Sequence, residues 1–423
     1  MSRKFLLILT HLHFLKRLLK SSSEVDYDDP GRHFLNLKKQ LHTFFKKLGY
    51  VSRRFFETAR LTVKVYIQTY TFHLVPDVLP QLHVFASFFG AEVQSVFLHV
   101  TQNFRVQELL HYSNIISGLF LTLENSTDLE FLNNSSSFFP RLKQLHVRVD
   151  SSISLLLIEL LKVNTTVTSI DLEETLLGPA GARALADMLK INDTMESVNV
   201  SYNSIGDEGA TALSEALKIN TTLSIINLNF NSIGDEGATE LAEALTVNTT
   251  VKKIDLSGNY FGVEGARALA DMLKINATVE SVNLSYNSLE DDGAGALVDA
   301  LTVNTTVTRV ILWDISITDE SATAFAILLK LNISVTSIDL SGNSIGTEGA
   351  ISLAEALHVN NTVVSVNLSD NFIDDAGAIA LANALKVNTT VTIDLTGNPI
   401  TDECAISLAD VLNVNGTVKI STS

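Results

Sequence analysis

Residues 195–222 read MESVNVSYNSIGDEGATALSEALKINTT, and residues 223–250 read LSIINLNFNSIGDEGATELAEALTVNTT. The two segments agree at most of their positions, and the same 28-residue unit can be followed from residue 167 to residue 391 and beyond. A period of this length is typical of a stack of small units, each packed mainly against its neighbours. The repeat therefore predicts a stacked array and not a single globular core.

Each unit divides into a strand, a turn and a helix. Apolar residues such as Met195, Val198 and Val200 alternate with polar ones, which predicts a short, half-buried strand. An Asn follows the strand in seven of the nine main units and is replaced at Thr175 and Ile315. Its side-chain amide can satisfy backbone groups of the turn. Acidic residues then precede Ala and Leu at helical spacing, which predicts a helix capped by an Asp, with acids at its positive end.

Stacking these units gives an α/β solenoid. Neighbouring parallel strands lie about 4.8 Å apart, whereas packed helices need roughly 8–10 Å. The helix side of the stack is therefore longer than the strand side. The sequence predicts a curved solenoid with parallel strands on its concave face and helices on its convex face.

The spacing L-x-x-L-x-L-x-x-N-x-L/I, followed by Gly-x-x-Gly-Ala-x-x-Leu-x-x-Ala-Leu, is matched over about 260 residues. This pattern closely resembles the ribonuclease-inhibitor-like leucine-rich repeats, which also occur in NOD-like receptors and in Ran GTPase-activating proteins. The resemblance implies a solenoid that binds other proteins. It does not identify the partner, because members of the family bind many different proteins.

Composition divides the chain into two regions. Residues 1–140 are rich in Phe and His and are predicted to form a mainly helical region, and residues 141–423 are predicted to hold about nine to ten repeats. Residues 1–150 carry a net charge of +6, and the remainder carries −23. Apolar and basic residues from Phe34 to Phe56 have the spacing of an amphipathic helix, which fits a cap on the open end of the solenoid. A weak membrane-surface or partner contact is the alternative.

The acidic repeats disfavour nucleic acid, whose phosphates need Lys and Arg. No Gly-Lys-Ser/Thr phosphate loop and no His-Glu-x-x-His is present, so we expect neither an enzyme nor a bound cofactor or metal. The one cysteine, Cys404, favours a reducing compartment, and no apolar stretch has the length of a membrane helix. We therefore expect a cytoplasmic protein of unknown oligomeric state. A secretory signal within residues 1–20 would instead make it a secreted or surface recognition protein.

One repeat departs from the pattern on the strand face that is predicted to be concave. Other units place small polar residues there, but this unit places Arg309, Ile311 and Trp313, the only Trp of the chain. Trp and Arg are enriched at binding hot spots, so we predict that these residues anchor a partner. Three aromatic residues one position further along extend the candidate surface: Tyr202, Phe230 and Tyr286. Decay of this repeat, with Trp313 covering a gap left by the missing Asn, is the alternative.

Acidic pairs recur at the corner between strand and helix, as at Asp207-Glu208 and Asp235-Glu236. Stacking aligns these pairs into a ridge that can guide a basic partner. Helix capping and solubility are the alternative explanation.

Three functional hypotheses follow. The first is a non-enzymatic protein-interaction module, either a scaffold or a sensor, that binds through the concave face or the acidic ridge. The second, implied by the resemblance to the Ran regulators, is a GTPase-activating protein, although Arg183 and Arg267 follow the helix starts and do not lie in the strand–helix loops. The third is the secreted recognition protein.

Overall fold

The computed structural model describes residues 96–100, 118–123, 143–148, 151–406 and 418–419. The helix predicted over residues 34–56 and the signal considered at residues 1–20 lie outside this part. Within it, thirteen strands form one parallel sheet whose spatial order is the order of the chain. The predicted α/β solenoid is confirmed, because strands and helices alternate along an open sheet.

The first three strands are β1 (Val96–Val100), β2 (Gly118–Leu123) and β3 (Gln144–Arg148), and helix α1 (Ser151–Leu161) follows. The repeating part then runs β4 (Ser169–Asp171), α2 (Gly178–Leu189), β5 (Ser197–Asn199), α3 (Gly206–Leu217), β6 (Ile225–Asn227), α4 (Asp235–Val247), β7 (Lys253–Asp255), α5 (Val263–Ile275), β8 (Ser281–Asn283), α6 (Glu290–Val303), β9 (Arg309–Ile311), α7 (Asp319–Leu331), β10 (Ser337–Asp339), α8 (Thr347–Val359), β11 (Ser365–Asn367), α9 (Asp375–Leu385), β12 (Thr392–Asp394) and β13 (Val418–Lys419). Among these helices, none combines the length and the apolar character needed to cross a bilayer.

The register of the sheet keeps each column of the repeat in line. Ser197 pairs with Ile225, and Ile225 pairs with Lys253, so from β4 to β11 every strand residue lies beside its equivalent 28 positions away. At the last full junction Ser365 pairs with Thr392, an offset of 27 that absorbs the one residue missing from that unit. Side chains from one column therefore form continuous rows across the sheet.

The Asn that follows each strand joins one repeat to the one before it. Asn203 is 1% exposed, and its Nδ2 donates to the backbone carbonyls of Leu172 at 2.7 Å and Val200 at 2.9 Å. Its Oδ1 accepts from the backbone N–H groups of Thr175 and Leu177, both at 3.1 Å. One buried amide thus satisfies groups from two units, because its donor and its acceptor face opposite ways. Seven side chains donate to the preceding repeat in this way and make the first Asn ladder: Asn203, Asn231, Asn259, Asn287, Asn343, Asn371 and Asn398.

A second Asn ladder lies where each helix ends and the chain returns to the next strand. Asn220 donates from Nδ2 to the carbonyl of Leu189 at 2.8 Å, and its Oδ1 accepts from the N–H groups of Thr222 and Leu223. The same donation to a Leu of the preceding helix is made by eight residues: Asn192, Asn220, Asn248, Asn276, Asn304, Asn332, Asn360 and Asn388. The recurring Asn-Thr of the sequence is therefore a structural device of the turn.

Asp residues of the acidic pairs between strand and helix cap helices, but the helix that Asp207 or Asp235 caps belongs to the next repeat. Asp207 lies in the first turn of α3, and its Oδ1 accepts from the N–H groups of Gly234 at 2.6 Å and Gly237 at 3.0 Å, at the start of α4. Asp235 does the same for Gly262 and Gly265 at the start of α5. A carboxylate at a helix N-terminus satisfies otherwise unpaired donors and favours the dipole. The caps predicted from the sequence thus act on the next helix.

Removing the amide of Asn203 is expected to destabilise the repeat array. Asn203→Ala leaves the buried N–H groups of Thr175 and Leu177 without their acceptor, each at a cost of about 1–3 kcal/mol, so we expect a loss of at least ~2 kcal/mol in the free energy of unfolding. The carbonyls of Leu172 and Val200 lose one donor but still accept from Thr175 and Asn231. Asn287→Ala is the matched control, since the Nδ2 of Asn287 has equivalent partners whereas its Oδ1 accepts no hydrogen bond. The control should lose less in urea unfolding, and equal losses would contradict the bridging role of Oδ1.

The close approach of successive helices gives a second prediction. A Cβ at Gly237 would lie 2.6 Å from Oδ1 of Asp207 and 3.0 Å from Cβ of Ala210, whereas a Cβ at Gly295 would meet nothing within 4 Å. Gly237→Ala should therefore destabilise the protein by roughly 1–3 kcal/mol through overpacking. Gly295→Ala should stabilise it by about 0.5–1 kcal/mol, because Ala is the better helix former. Thermal unfolding of both variants checks the opposite signs.

Candidate functional site

The open face of the sheet, which bears the strand side chains that point away from the helices, is lined mostly by small polar groups that bond to one another. Asn199 accepts from the N–H of Ser201 through Oδ1 and donates from Nδ2 to Oδ1 of Asp171 at 2.9 Å. Asn283 and Asp255 repeat this arrangement at 3.0 Å. The polar floor is therefore largely bonded within itself, and the buried Oδ1 of Asn229 is an exception that accepts no hydrogen bond.

Strand β9 breaks this floor. Ile311 stands in the column of Asn and Asp residues and cannot accept from the backbone two positions on. The N–H of Trp313 donates instead to Oγ of Ser285 in the preceding repeat, at 3.1 Å. Arg309 is exposed and Ile311 is half-buried on the same strand, so both lie on the open face with the indole of Trp313 following them.

Just beyond the strands, one column of the repeat adopts a left-handed backbone. Tyr202, Phe230 and Tyr286 have φ of 58°, 52° and 53°, and the same column holds Gly258 and Gly342, both with φ of 65°. A bulky side chain in this conformation costs roughly 1–2 kcal/mol more than glycine. Aromatic residues are thus placed where glycine would be the less strained choice, and such strain is most common at functional sites.

The aromatic side chains form a continuous row, here called the aromatic strip: Tyr202, Phe230, Tyr286 and Trp313. The rings of Tyr202 and Phe230 stack with centroids 4.5 Å apart and planes 8° apart. Phe230 and Tyr286 are 6.3 Å apart and tilted by 47°, and Tyr286 and Trp313 are 4.3 Å apart and tilted by 60°. Each ring is between 37% and 44% exposed. The structure therefore brings into one row the four aromatic residues that the sequence predicted to share a candidate surface.

One glycine lets the strip cross a repeat without an aromatic residue, and a second glycine lies against its last ring. A Cβ at Gly258 would lie 2.6 Å from Cδ1 of Phe230, so this ring extends across the repeat that lacks an aromatic residue and approaches Tyr286. A Cβ at Gly342 would likewise lie 2.5 Å from Cδ1 of Trp313. The glycines of this column thus form flat supports for the rings of the preceding repeat. Sequence reasoning missed them, and the available signal was glycine in the column that also holds Tyr202, Phe230 and Tyr286.

Acidic groups lie beside the strip. Burial, then the nearby Asp314 carboxylate, and then Tyr202 raise the pKa of Tyr286, so its phenol stays protonated at neutral pH and can donate a hydrogen bond. Asp314 follows Trp313 directly, and Glu174 occupies the column of the strip one repeat before Tyr202. Apolar ring surface is therefore bounded by negative charge.

The strip crosses the junction at which the first Asn ladder is interrupted. Ile315 is fully buried in place of an Asn, so no side-chain amide bridges it to the preceding repeat. The Oδ1 of Asn287, which is buried and accepts no hydrogen bond, belongs to the junction before this one, because ladder residues such as Asn259 and Asn343 accept through Oδ1 from the repeat that precedes them. At the helix end of this junction, Ser321 replaces the usual Gly and donates to Oδ1 of Asp291 at 2.5 Å. Burial opposes ionisation of Asp291, but hydrogen bonds from Ser321 and Thr318 outweigh it and lower the pKa of Asp291.

The acidic ridge is divided between two roles. Asp207 and Asp235 are occupied as helix caps, whereas Glu208 and Glu236 lie exposed on the first turns of α3 and α4. Arg183 of the preceding helix forms an ion pair with Glu208. The capping explanation thus accounts for the Asp column, and the Glu column remains on the surface, at a distance along the chain from the aromatic strip.

The two arginines considered for GTPase activation are also ion-paired. Arg183 lies on α2 beside Glu208, and Arg267 lies on α5 with Nη1 at 2.8 Å from Glu264 and Nη2 at 3.5 Å from Asp292. Both are on helices, as the sequence predicted. Their guanidinium groups link neighbouring helices across exposed acidic residues.

The repeats match a known sequence family. The family model described as leucine-rich repeat matches seven segments: residues 192–214, 220–242, 247–270, 276–298, 331–354, 359–382 and 387–409. The gap between the fourth and fifth segments contains Arg309, Ile311 and Trp313. The repeat that departs in sequence on the open face is therefore not matched by the family model, and the first main unit, around Thr175, is not matched either.

Comparison with known proteins and solved structures adds little beyond this. No curated protein matches the chain. Leiomodin-1 actin-binding site 2 is similar at 25% identity and a TM-score of 0.31, over 35% of this chain and 87% of that one. The tropomodulin C-terminal domain of Caenorhabditis elegans is similar at 14% identity and a TM-score of 0.31, over 36% of this chain and 93% of that one. The seven family matches, together with the parallel strand–helix stack, support a leucine-rich-repeat fold for the repeating part of this chain.

Proposed function

We propose that the chain is a non-enzymatic protein-binding module of the ribonuclease-inhibitor-like type, and that its partner docks along the aromatic strip on the open face. The observation that carries the proposal is the continuity of the strip, in which four rings from four repeats contact one another in sequence. Rings that served only to stabilise the fold would be buried. These keep about two-fifths of their surface exposed.

The strip has the composition of a binding hot spot. Tyr and Trp supply large contact area at a low cost in side-chain entropy, and Arg is enriched with them at interface centres. Arg309 and Ile311 lie on the strand that leads to Trp313 and enlarge the contact surface on the same face. The surrounding floor of bonded Asn, Asp and Ser side chains is rigid, so little ordering would be needed on binding.

The partner is expected to present aromatic or aliphatic side chains flanked by basic residues. In a row of stacked rings, the ring edges and the outer faces of the two end rings are open to a partner. These surfaces suit apolar side chains. Glu174 and Asp314 place negative charge at the two ends of the strip. Basic residues on the partner would complement these ends and speed association at low salt. We propose that this binding takes place in the cytoplasm, in keeping with the single buried thiol of Cys404.

Two rings of the aromatic strip can be removed by substituting residues that other repeats carry at the same positions. Trp313→Ser restores the residue found at Ser285, and Tyr286→Gly restores the residue found at Gly258. Because two hot-spot side chains are lost, we expect partner affinity to fall at least about thirtyfold. Affinity purification followed by calorimetry with the purified partner measures this change.

A matched control uses exposed aromatic residues that lie outside the strip. Tyr260→Ser and Phe372→Ser replace side chains that are 75% and 65% exposed with the Ser that most units carry in that column. This double variant should keep wild-type affinity, and both variants should keep their secondary structure by circular dichroism. Proteins lost from the strip variant but retained by the control are the partners in question. Retention of every partner by a folded strip variant would refute the proposal.

A further inference from the structure

A row of exposed aliphatic side chains runs along one edge of the solenoid. One residue of each repeat contributes, at the end of its helix and directly before the second Asn ladder, and each is between 58% and 77% exposed. This aliphatic row consists of Val163, Ile191, Ile219, Val247, Ile275, Val303, Leu331, Val359 and Val387. A soluble protein carries scattered exposed apolar residues, but a regular contiguous row marks an interaction surface.

The row is held rigidly. Ile219, for example, precedes Asn220, whose amide is fixed by the carbonyl of Leu189 at 2.8 Å and by two N–H groups of its own turn. Every member of the row from Ile191 onward is followed by an Asn with the same anchoring to the preceding helix. The row is therefore preorganised to bind a partner surface whose side chains recur at the same spacing.

The charges beside the row are largely neutralised. A Lys precedes the aliphatic residue in most repeats, and its ammonium pairs with a carboxylate of its own helix at Lys190–Asp187, Lys218–Glu215 and Lys274–Asp271, at 3.3, 2.6 and 2.8 Å. An edge with alternating paired charges is poorly suited to an anionic lipid surface, which attracts unpaired Lys and Arg clusters. It is well suited to the same edge of a second copy of the chain, because a two-fold axis can place the Lys column of one copy opposite the acidic column of the other.

We infer that the aliphatic row is the interface of a homodimer, formed by two copies of this chain packed edge to edge and antiparallel. Burying nine such side chains removes on the order of 500 Å² of apolar surface per copy, taking roughly 60–120 Å² for each whole side chain. A standard interface buries about 800 Å² per partner, and homodimer interfaces are about 65% apolar, which also gives about 500 Å². The row alone therefore supplies the apolar area that a stable dimer requires.

Two-fold symmetry fixes the pairing. The row has nine members at a constant period, so the register with the largest overlap places the fifth member, Ile275, opposite Ile275 of the second copy. Ile191 then faces Val359, and Val163 faces Val387. This interface lies on the loops between helix and strand and leaves the aromatic strip on the open face uncovered, so it does not depend on the proposed function.

The first test measures the association state of the full chain by sedimentation equilibrium. Wild type should be a dimer at micromolar concentration. The triple variant Ile219→Lys, Ile275→Lys, Leu331→Lys should dissociate at least about a hundredfold more readily, because like charges would meet across the axis. These side chains are largely exposed in the single chain, so the variant should keep the secondary structure of wild type by circular dichroism. A monomeric wild type, or a triple variant that associates as tightly as wild type, overturns the proposal.

A matched control substitutes exposed apolar residues in the strand–helix loops, away from the row. Leu176→Lys, Tyr260→Lys and Phe372→Lys replace side chains that are 76%, 75% and 65% exposed. This variant adds the same charge and should remain dimeric. Loss of dimer in the control as well would assign the effect to net charge and overturn the assignment of the row.

The second test probes the register by oxidation. With Cys404 replaced by Ala, Ile275→Cys should form an intermolecular disulfide under mild oxidant, whereas Ile191→Cys should not, and Ile191→Cys combined with Val359→Cys should. Equal cross-linking of all single variants would indicate random collision and overturn the antiparallel register. Co-sedimentation of a monomeric wild type with phosphatidylserine vesicles, lost in the triple Lys variant, would assign the row to a lipid surface instead.

Discussion

The amide of a buried Asn that bonds two repeats at once is the interaction on which the rest of this protein depends. Asn203 donates from Nδ2 to the carbonyls of Leu172 and Val200 and accepts through Oδ1 from the N–H groups of Thr175 and Leu177, so it cannot be satisfied within one unit. Because a buried unpaired amide is costly, each unit must take up a fixed register on its neighbour. That register aligns every other column of the repeat, including those that form surfaces.

Two main repeats lack this amide, at Thr175 and Ile315, and the second of them carries Trp313. Ile315 fills the position of the missing Asn with apolar volume at the junction with the preceding repeat. On the open face, the contact between Tyr286 and Trp313 at 4.3 Å spans the same junction. The two explanations offered for Trp313, as a partner anchor and as cover for a decayed repeat, are therefore compatible. An exposed ring can bridge two repeats and still present its edge to a partner.

Repetition produces both surfaces, but in different ways. The aliphatic row follows the period without exception, and its regularity suits a partner with the same period. The aromatic strip exists because the period is varied: Phe230 reaches over Gly258, and Trp313 lies over Gly342. A regular surface matches another copy of the chain, whereas an irregular one offers the distinct shape and charge needed for a particular partner. The two surfaces face different directions and can be occupied together.

The sequence alone determined the strand–helix alternation, the Asn columns and the departure at Arg309, Ile311 and Trp313, because apolar spacing and turn chemistry act within a single unit. Only the tertiary structure decided what passes between units. It placed the carboxylate of Asp207 on the following helix, where the sequence had suggested a cap without its direction. It also joined Phe230 to Tyr286 across a glycine, a contact between residues 56 positions apart that depends on where neighbouring repeats lie in space.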